Sequence, residues 1–412
     1  MNGARIVVVG IGADGWDGLS DRGRTALLNA DRIIGSARQA ETLPPDAPPV
    51  QVWPSPIGPL IDELATQKHG SVCVLASGDP MLHGVGATLV RRLEQEPPGS
   101  RPELDVISHP SAFSLACARL GWSAAEVDLV STVGRPLDAV IRLLQPGRRL
   151  IVYAAGVSGA TDIARVVTRS GYGPSRFVVL EQLGGAAEQI IESTAAAWGE
   201  RRADALHAIA IECLPESQTP LLPLIPGLPD DAFEHDGALT KRHVRAATLA
   251  ALAPTPRALL WDVGAGSGSI AIEWLRAEPT CRAVAIEVRA DRAERIARNA
   301  HELGVPSLEV VIGSAPAVFA DLDLPDAVFI GGGLTSGVLD VTWAALRPGG
   351  RLVANAVTIE GEQLLVSAAQ NYGGELVRLS VSHAEPLGGF TAWRPALPVV
   401  MWSVLKANGA ER

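Results

Sequence analysis

The residues Leu260-Trp261-Asp262-Val263-Gly264-Ala265-Gly266-Ser267-Gly268-Ser269 carry the sharpest chemical signal of the chain. An apolar run closes on an acidic side chain and then on GxGxG, and a helix pattern, SIAIEWLRA, follows. Glycines at such a turn let the backbone approach a bound molecule, and the helix start presents amide groups to it. A nicotinamide dinucleotide wants GxGxxG, with a third glycine where Ser269 stands. GxGxG behind an acidic residue instead suits S-adenosylmethionine, whose amino-acid end needs close backbone approach and carries no pyrophosphate. The contacts then fall on Gly264, Ala265, Gly266, Ser267 and Gly268. The next apolar run, RAVAIEV, ends with Glu287, about 20 residues past the loop, where a carboxylate can accept both ribose hydroxyls. VIGSAPAVF places Ser314 and Ala315 beside the adenine. FIGGG puts Gly331, Gly332 and Gly333 at the carboxyl edge of a sheet, where missing side chains leave room for a large substrate.

The first half offers a weaker pair of signals. VVVGIGADG has Gly10, Gly12 and Gly15 at GxGxxG spacing after a strand, which invites a dinucleotide reading. That reading fails on the partner carboxylate, because Asp31 precedes the second strand, DRIIG, when the ribose-binding acid should end it. Ala76-Ser77-Gly78-Asp79-Pro80-Met81 is more telling: a strand meets Gly-Asp-Pro and then a helix pattern. Proline fixes a tight turn there and frees polar backbone to bind a ligand; an ordinary Asp-Pro turn is the competing explanation. His83 and His109 are either ligands or structural histidines.

These residues need strands to carry them. RIVVVG (5–10), SVCVLASG (71–78), RLIVYAAG (149–156) and ALHAIAIEC (205–213) read as strands, alternating with helices such as 19–30 and 159–171. Residues 215–231, PESQTPLLPLIPGLPDD, hold five prolines and can sustain neither a helix nor a central strand. Beyond them the alternation restarts with ALLWDVGAG, RAVAIEV, LEVVIGSA, DAVFIGGG and RLVANAV. Two α/β domains with parallel sheets are expected, at 1–220 and 221–412, and the absence of a shared repeat makes them a fusion of different units. A length of 412 residues agrees with two domains, and 47% hydrophobic with 19% charged residues excludes a disordered chain.

Composition narrows the partners. Net charge is −10, with 19 basic against 24 acidic residues in 1–225 and 16 against 21 beyond, so nucleic acid is disfavoured. No apolar run reaches the length of a membrane span, and MNGARIVVVG lacks a secretory signal pattern, so a cytoplasmic protein is expected. Cys73, Cys117, Cys213 and Cys281 are scattered among apolar neighbours and support neither disulfides nor a metal site.

PGLPDDAFEHDGALTKRHVRAATLAAL (226–252) followed by LWDVGAGSGSIAIEW resembles the precorrin-8w-type decarboxylating methyltransferases of cobalamin biosynthesis. The resemblance implies a Rossmann-like class I S-adenosylmethionine methyltransferase fold with Thr240 lying over the cofactor. His243 stands where many relatives carry an acid, so no role passes to that position. VGIGADG, ASGDPMLHG, HPSAFSLACARLGW, STVGR and LIVYAAG together resemble the tetrapyrrole methylase family. That likeness implies two α/β lobes with S-adenosylmethionine between them, held by Gly78, Asp79, Pro80, Ser111, Ala112 and Ala154, while Gly10 and Gly12 line the substrate trough. Relatives often carry two hydroxyl residues at the Ser111-Ala112 pair, and Ala112 departs from this.

The two halves occur in the order of the precorrin-6Y methyltransferase family. That order implies methylation of carbons 5 and 15 of a corrin precursor, loss of one acetate carboxyl as carbon dioxide, one S-adenosylmethionine per domain, a tetrapyrrole substrate and a homo-oligomer. Methyl transfer to an electron-rich carbon needs positioning above all, and no nucleophilic triad or catalytic residue is identified. Two other readings stay open: one half as a silent cofactor- or tetrapyrrole-binding module, and a methyltransferase for an unrelated small molecule.

Overall fold

Strand β1 (Arg5–Ile11) is buried along almost its whole length and flanked on both sides, as a β-branched run without polar alternation requires. With β2 (Arg32–Gly35), β3 (Val50–Val52), β4 (Ser71–Ser77) and β5 (Glu103–Ile107) it forms a parallel sheet in the order β3-β2-β4-β1-β5. The register sets Ile11 beside Ser77, so two strand ends and their turns meet at one carboxyl edge. A second lobe follows, with β6 (Val127–Ser131), β7 (Arg149–Tyr153), β8 (Arg176–Glu181), β9 (Gln189–Thr194) and β10 (His207–Glu212) in the order β6-β7-β10-β8-β9.

This lobe corrects the expectation of parallel sheets in both halves. Only β6 and β7 run parallel; β10 enters antiparallel between β7 and β8, and β8 pairs antiparallel with β9. Residues 182–188 between β8 and β9 are too few for the crossover that a parallel pair needs. Along β9 the residues are mostly exposed, which is why no apolar run announces it.

The computed structural model describes residues 4–408, which divide into two compact units. The first holds both lobes and runs to Thr219, except that Asp138–Gln145 groups with the second unit, Pro220 onward. The second unit is a seven-stranded sheet of β11 (Leu259–Val263), β12 (Arg282–Glu287), β13 (Glu309–Ile312), β14 (Ala327–Ile330), β15 (Arg351–Ala356), β16 (Glu375–Leu379) and β19 (Val399–Leu405). Its order is β13-β12-β11-β14-β15-β19-β16, parallel through β15, with β19 antiparallel to both neighbours. A separate hairpin joins β17 (Ser382–Leu387) to β18 (Phe390–Pro395). Strand order reverses between β11 and β14, the place where open α/β sheets bind ligands. Among the described residues no helix is long and apolar enough to cross a membrane.

One buried ion pair fixes what lies over that edge. Arg245, on the helix Arg242–Leu252, is wholly buried and sets Nε 2.6 Å from Glu273 Oε1 on the helix Ser269–Ala277. Its Nη1 lies 3.2 Å from Asp230, its Nη2 donates to the Leu228 carbonyl, and its guanidinium stacks 4.7 Å from the Phe233 ring. Glu273 in turn accepts the amides of Gly227 (2.6 Å) and Leu228 (2.9 Å). The segment 227–241 is thereby strapped to the sheet.

Breaking such a pair leaves an uncompensated buried charge, worth about 3 kcal/mol or more. Glu273→Gln keeps the volume and strands Arg245. Urea denaturation is expected to show the second unit destabilised by about 3 kcal/mol.

Candidate active sites

In the first unit a cleft of about 680 Å³ opens between the lobes. Gly78 follows β4 with φ +60° and donates to Ile11 O at 2.9 Å; a Cβ there would press on Ser111 Cα at 3.3 Å. That left-handed backbone and close approach call for glycine. Asp79 accepts the Met81 amide at 2.7 Å and so turns the chain away from the sheet. Ser111 caps the helix Ala112–Leu120 by accepting the Ser114 amide at 3.0 Å, and the Tyr153 hydroxyl accepts the Phe113 amide at 2.8 Å. Gly12, Gly78, Asp79, Ser111, Ala112 and Ala154 all line this cleft.

Two expected residues do not line it. Pro80 is buried under its own turn, its carbonyl within contact distance of where a Cβ on Gly84 or Gly86 would stand. Gly10 is closed in by the Gly78 carbonyl and His109, which leaves no room for a Cβ and no open face. His109 itself is held by Asp14 (3.3 Å) and Pro110 O (3.1 Å), the work of a structural histidine. His83 does face the cleft.

The cleft also gathers residues that no motif announced: Arg38, Tyr153 and His207. Burial pushes the Tyr153 phenol up to about 12 and pulls both His207 and His83 below the usual imidazole range, His83 further so beside Arg135. Both surroundings therefore favour the uncharged imidazole. His207 donates from Nδ1 to Asp204 O (2.7 Å), while its buried Nε2 has no protein partner.

In the second unit the loop after β11 has positive φ at Gly264, Gly266 and Gly268. A Cβ on Gly264 would sit 2.6 Å from Gly332 Cα, and one on Gly266 would sit 2.9 Å from Ala238 O. The loop is thus pressed between the end of β14 and the strap. Its amides are already committed: Gly264 and Ala265 donate to Ile286 O, and Gly266 donates to Glu287 at 2.9 Å. Glu287 also accepts the Arg289 amide at 3.1 Å, which orients its buried carboxylate at the end of β12. These three amides hold the loop and the carboxylate in place, and the start of the helix Ser269–Ala277 follows directly.

Ser314 is exposed, with Ala315 beside it, just past β13; Thr240 lies in the strap next to the helix start. Of the three glycines after β14, Gly333 faces open space, whereas Gly331 meets the Phe329 ring and Gly332 meets Gly264. Beneath the loop, Asp262 is buried; one oxygen accepts the Ala271 amide at 3.1 Å and the other has no partner. Ser267 Oγ is buried and unpartnered as well. Orphaned polar atoms around a glycine loop, with open space at Gly333, suit a polar cofactor.

Comparison with known proteins gives each half of the chain a family match. Residues 5–198 match the tetrapyrrole (corrin/porphyrin) methylases, and residues 231–406 match the precorrin methyltransferase domain. Over 403 residues the chain is 44% identical to a precorrin-6Y C(5,15)-methyltransferase (decarboxylating) of a Sinorhizobium species, covering 97% of this chain and 96% of the relative. The chain belongs to that family. It is an S-adenosylmethionine-dependent C-methyltransferase. A relative of the same description from Mycobacterium tuberculosis is also 44% identical, over 407 residues, 97% of this chain and all of that one. A shorter relative, the cobalt-precorrin-6B C(15)-methyltransferase (decarboxylating) of Salmonella typhimurium, is 31% identical over 179 residues, 42% of this chain and 92% of its own length.

Burial, with the nearby Glu287 charge adding to it, pushes the Asp262 carboxyl up to about 7 from 3.8. A raised folded-state value gives stability that is full below pH 3.8 and lost as pH rises toward 7. Without added cofactor, Asp262→Asn is expected to match the parent near pH 4 and to melt about 2–4 °C higher at pH 8. Calorimetric scans across that range check it.

Proposed function

We propose that the chain binds two S-adenosylmethionine molecules, one per unit, and methylates carbons 5 and 15 of precorrin-6Y while removing an acetate carboxyl as carbon dioxide. In this reading the first unit serves carbon 5 and the second serves carbon 15 and the decarboxylation. The observation that carries it is the presence of two unrelated glycine turns, each at a sheet's carboxyl edge, with unpartnered buried polar atoms at Asp262 and Ser267 around the second and at His207 on the wall of the first cleft. The shorter relative named for C(15) methylation with decarboxylation supports the division of labour. The family likeness extends the reading to a cytoplasmic homo-oligomer.

S-adenosylmethionine supplies an electrophilic methyl group when bound. In the first unit Gly78, Asp79, Ser111, Ala112 and Ala154 are the residues proposed to hold it, and Gly12 faces the tetrapyrrole. Pro80 and Gly10 act behind them, as packing. In the second unit Glu287 takes the ribose hydroxyls, the Gly264–Gly268 loop lies against the amino-acid end, Ser314 and Ala315 flank the adenine, and Thr240 covers it. Gly333 gives the macrocycle its way in, with Gly331 and Gly332 allowing the close packing beneath. Correct placement of a methyl donor and a ring carbon supplies about 7–11 kcal/mol in favourable cases. Excluding water around the carboxylate favours its loss as carbon dioxide, the electron pair of the broken C–C bond passing into the substrate's conjugated imine system and a proton then taking the carboxyl's place.

Calorimetry on the intact protein is expected to return two cofactor sites per chain; one site would favour a silent half. Gly266→Arg fills the space under Ala238 and sets a cation against the sulfonium, so it should abolish decarboxylation and carbon-15 methylation while sparing carbon 5. Asp79→Arg should do the reverse. Mass spectrometry of the products decides, and decarboxylation by Gly266→Arg would remove that chemistry from the second unit.

A further inference from the structure

Arg38 belongs to the helix Ala37–Glu41, which starts directly after β2. A capping box fixes that start: Ser36 Oγ accepts the Gln39 amide (3.2 Å) and Gln39 Oε1 accepts the Ser36 amide (2.7 Å). Gln39, itself buried, donates Nε2 to Ser77 Oγ at 3.2 Å, and Arg38 donates Nη2 to the same hydroxyl at 2.9 Å. Ser77 ends β4 and precedes Gly78 and Asp79. The guanidinium is therefore tethered at the lip of the cofactor turn, facing the cleft.

Its partners are unusual for its burial. Among the described residues of the first unit, the half-buried arginines Arg24, Arg32, Arg92, Arg148, Arg149 and Arg176 each hold a carboxylate within 4.0 Å. Arg38 is half-buried and meets only the Ser77 hydroxyl. Asp204 is the charge it feels, but the two form no ion pair within 4.0 Å, and Asp204 Oδ1 accepts from Gln182 Nε2 (2.9 Å) and the Leu206 amide (2.7 Å). Half-buried cations without a counter-ion are costly, and a guanidinium fork with free N–H groups matches a carboxylate. Arg38 is also the single Lys or Arg side chain lining this cleft, against one carboxylate, Asp79. Trp53 and the exposed Ile57 line the cleft as well and offer an apolar face for a flat ligand.

We propose that Arg38 is the carboxylate-binding residue of the first cleft and that it takes a peripheral carboxylate of the tetrapyrrole. The inference rests on the reading of this unit as a tetrapyrrole methylase. The cofactor's own carboxylate shares the chemistry, so the test separates the two.

The intact chain is assayed for carbon-5 methylation with tetrapyrrole varied, and S-adenosylhomocysteine binding is read by calorimetry. An unmodified chain that makes no carbon-5 product would sink the functional reading and leave Arg38 out of it. With that product formed, Arg38→Gln is expected to raise the tetrapyrrole KM about tenfold or more. It should change the S-adenosylhomocysteine Kd less than about twofold, and Arg38→Lys should recover part of the loss. Ser77→Ala removes the tether and keeps the charge, so it should cost less of the affinity for tetrapyrrole than Arg38→Gln does. A Kd that weakens while KM holds would assign the guanidinium to the cofactor and overturn the tetrapyrrole source. Unchanged KM and Kd in Arg38→Gln would overturn the proposal.

Discussion

The buried contact between Arg245 and Glu273 is the constraint on which the second site depends. Neither group could stay charged in that interior alone, and each is completed by backbone from one stretch, residues 227–230. The pair therefore does more than join two helices. It folds a proline-rich segment, whose regular structure is one short 3-10 turn at Asp230–Ala232, down onto the sheet edge. Ala238 then closes over Gly266, and the glycine loop acquires a roof that the sheet fold alone does not supply.

The two units solve one problem with different means. In the second, three loop amides face inward to β12 and Glu287, which presets that carboxylate at the strand's end. In the first, the turn is held by Asp79 and by a helix cap at Ser111, and the surface facing the ligand is almost neutral. Both arrangements fix the backbone of the turn beforehand, while Asp262, Ser267 and His207 keep polar atoms without protein partners. Little reorganisation is left for the moment of reaction, which is what a positioning catalyst needs.

What could be read from sequence follows from locality. The GxGxG loop and Glu287 are legible because the glycines answer to sterics within one strand–turn–helix and the acid to a fixed span. Gly10 and Pro80 show the limit: a motif residue can serve the motif by packing behind it, and type and spacing are the same either way. Arg38, Tyr153 and His207 come from the helix after β2, from β7 and from β10, and only tertiary folding brings them to one cleft. The antiparallel entry of β10 was hidden for the same reason, since a buried strand reads alike in either direction. β17 and β18, almost wholly exposed, had no apolar run to betray them.

The place of β10 has a consequence for how the molecule comes into being. Last of its lobe in sequence, it lies at the centre of the sheet, between β7 and β8. Until residues 207–212 leave the ribosome, both neighbours present bare edges, the kind of surface on which chains stick to one another. The contacts that close the lobe span long stretches of sequence, which makes closure slow. His207 opens that strand and Ala208 follows it, and both line the cleft. The wall that meets the ligand is thus the last piece to arrive. The cleft of the first unit is therefore complete only after residues 207–212 have been made and have joined their lobe, so its walls mark the end of that unit's assembly.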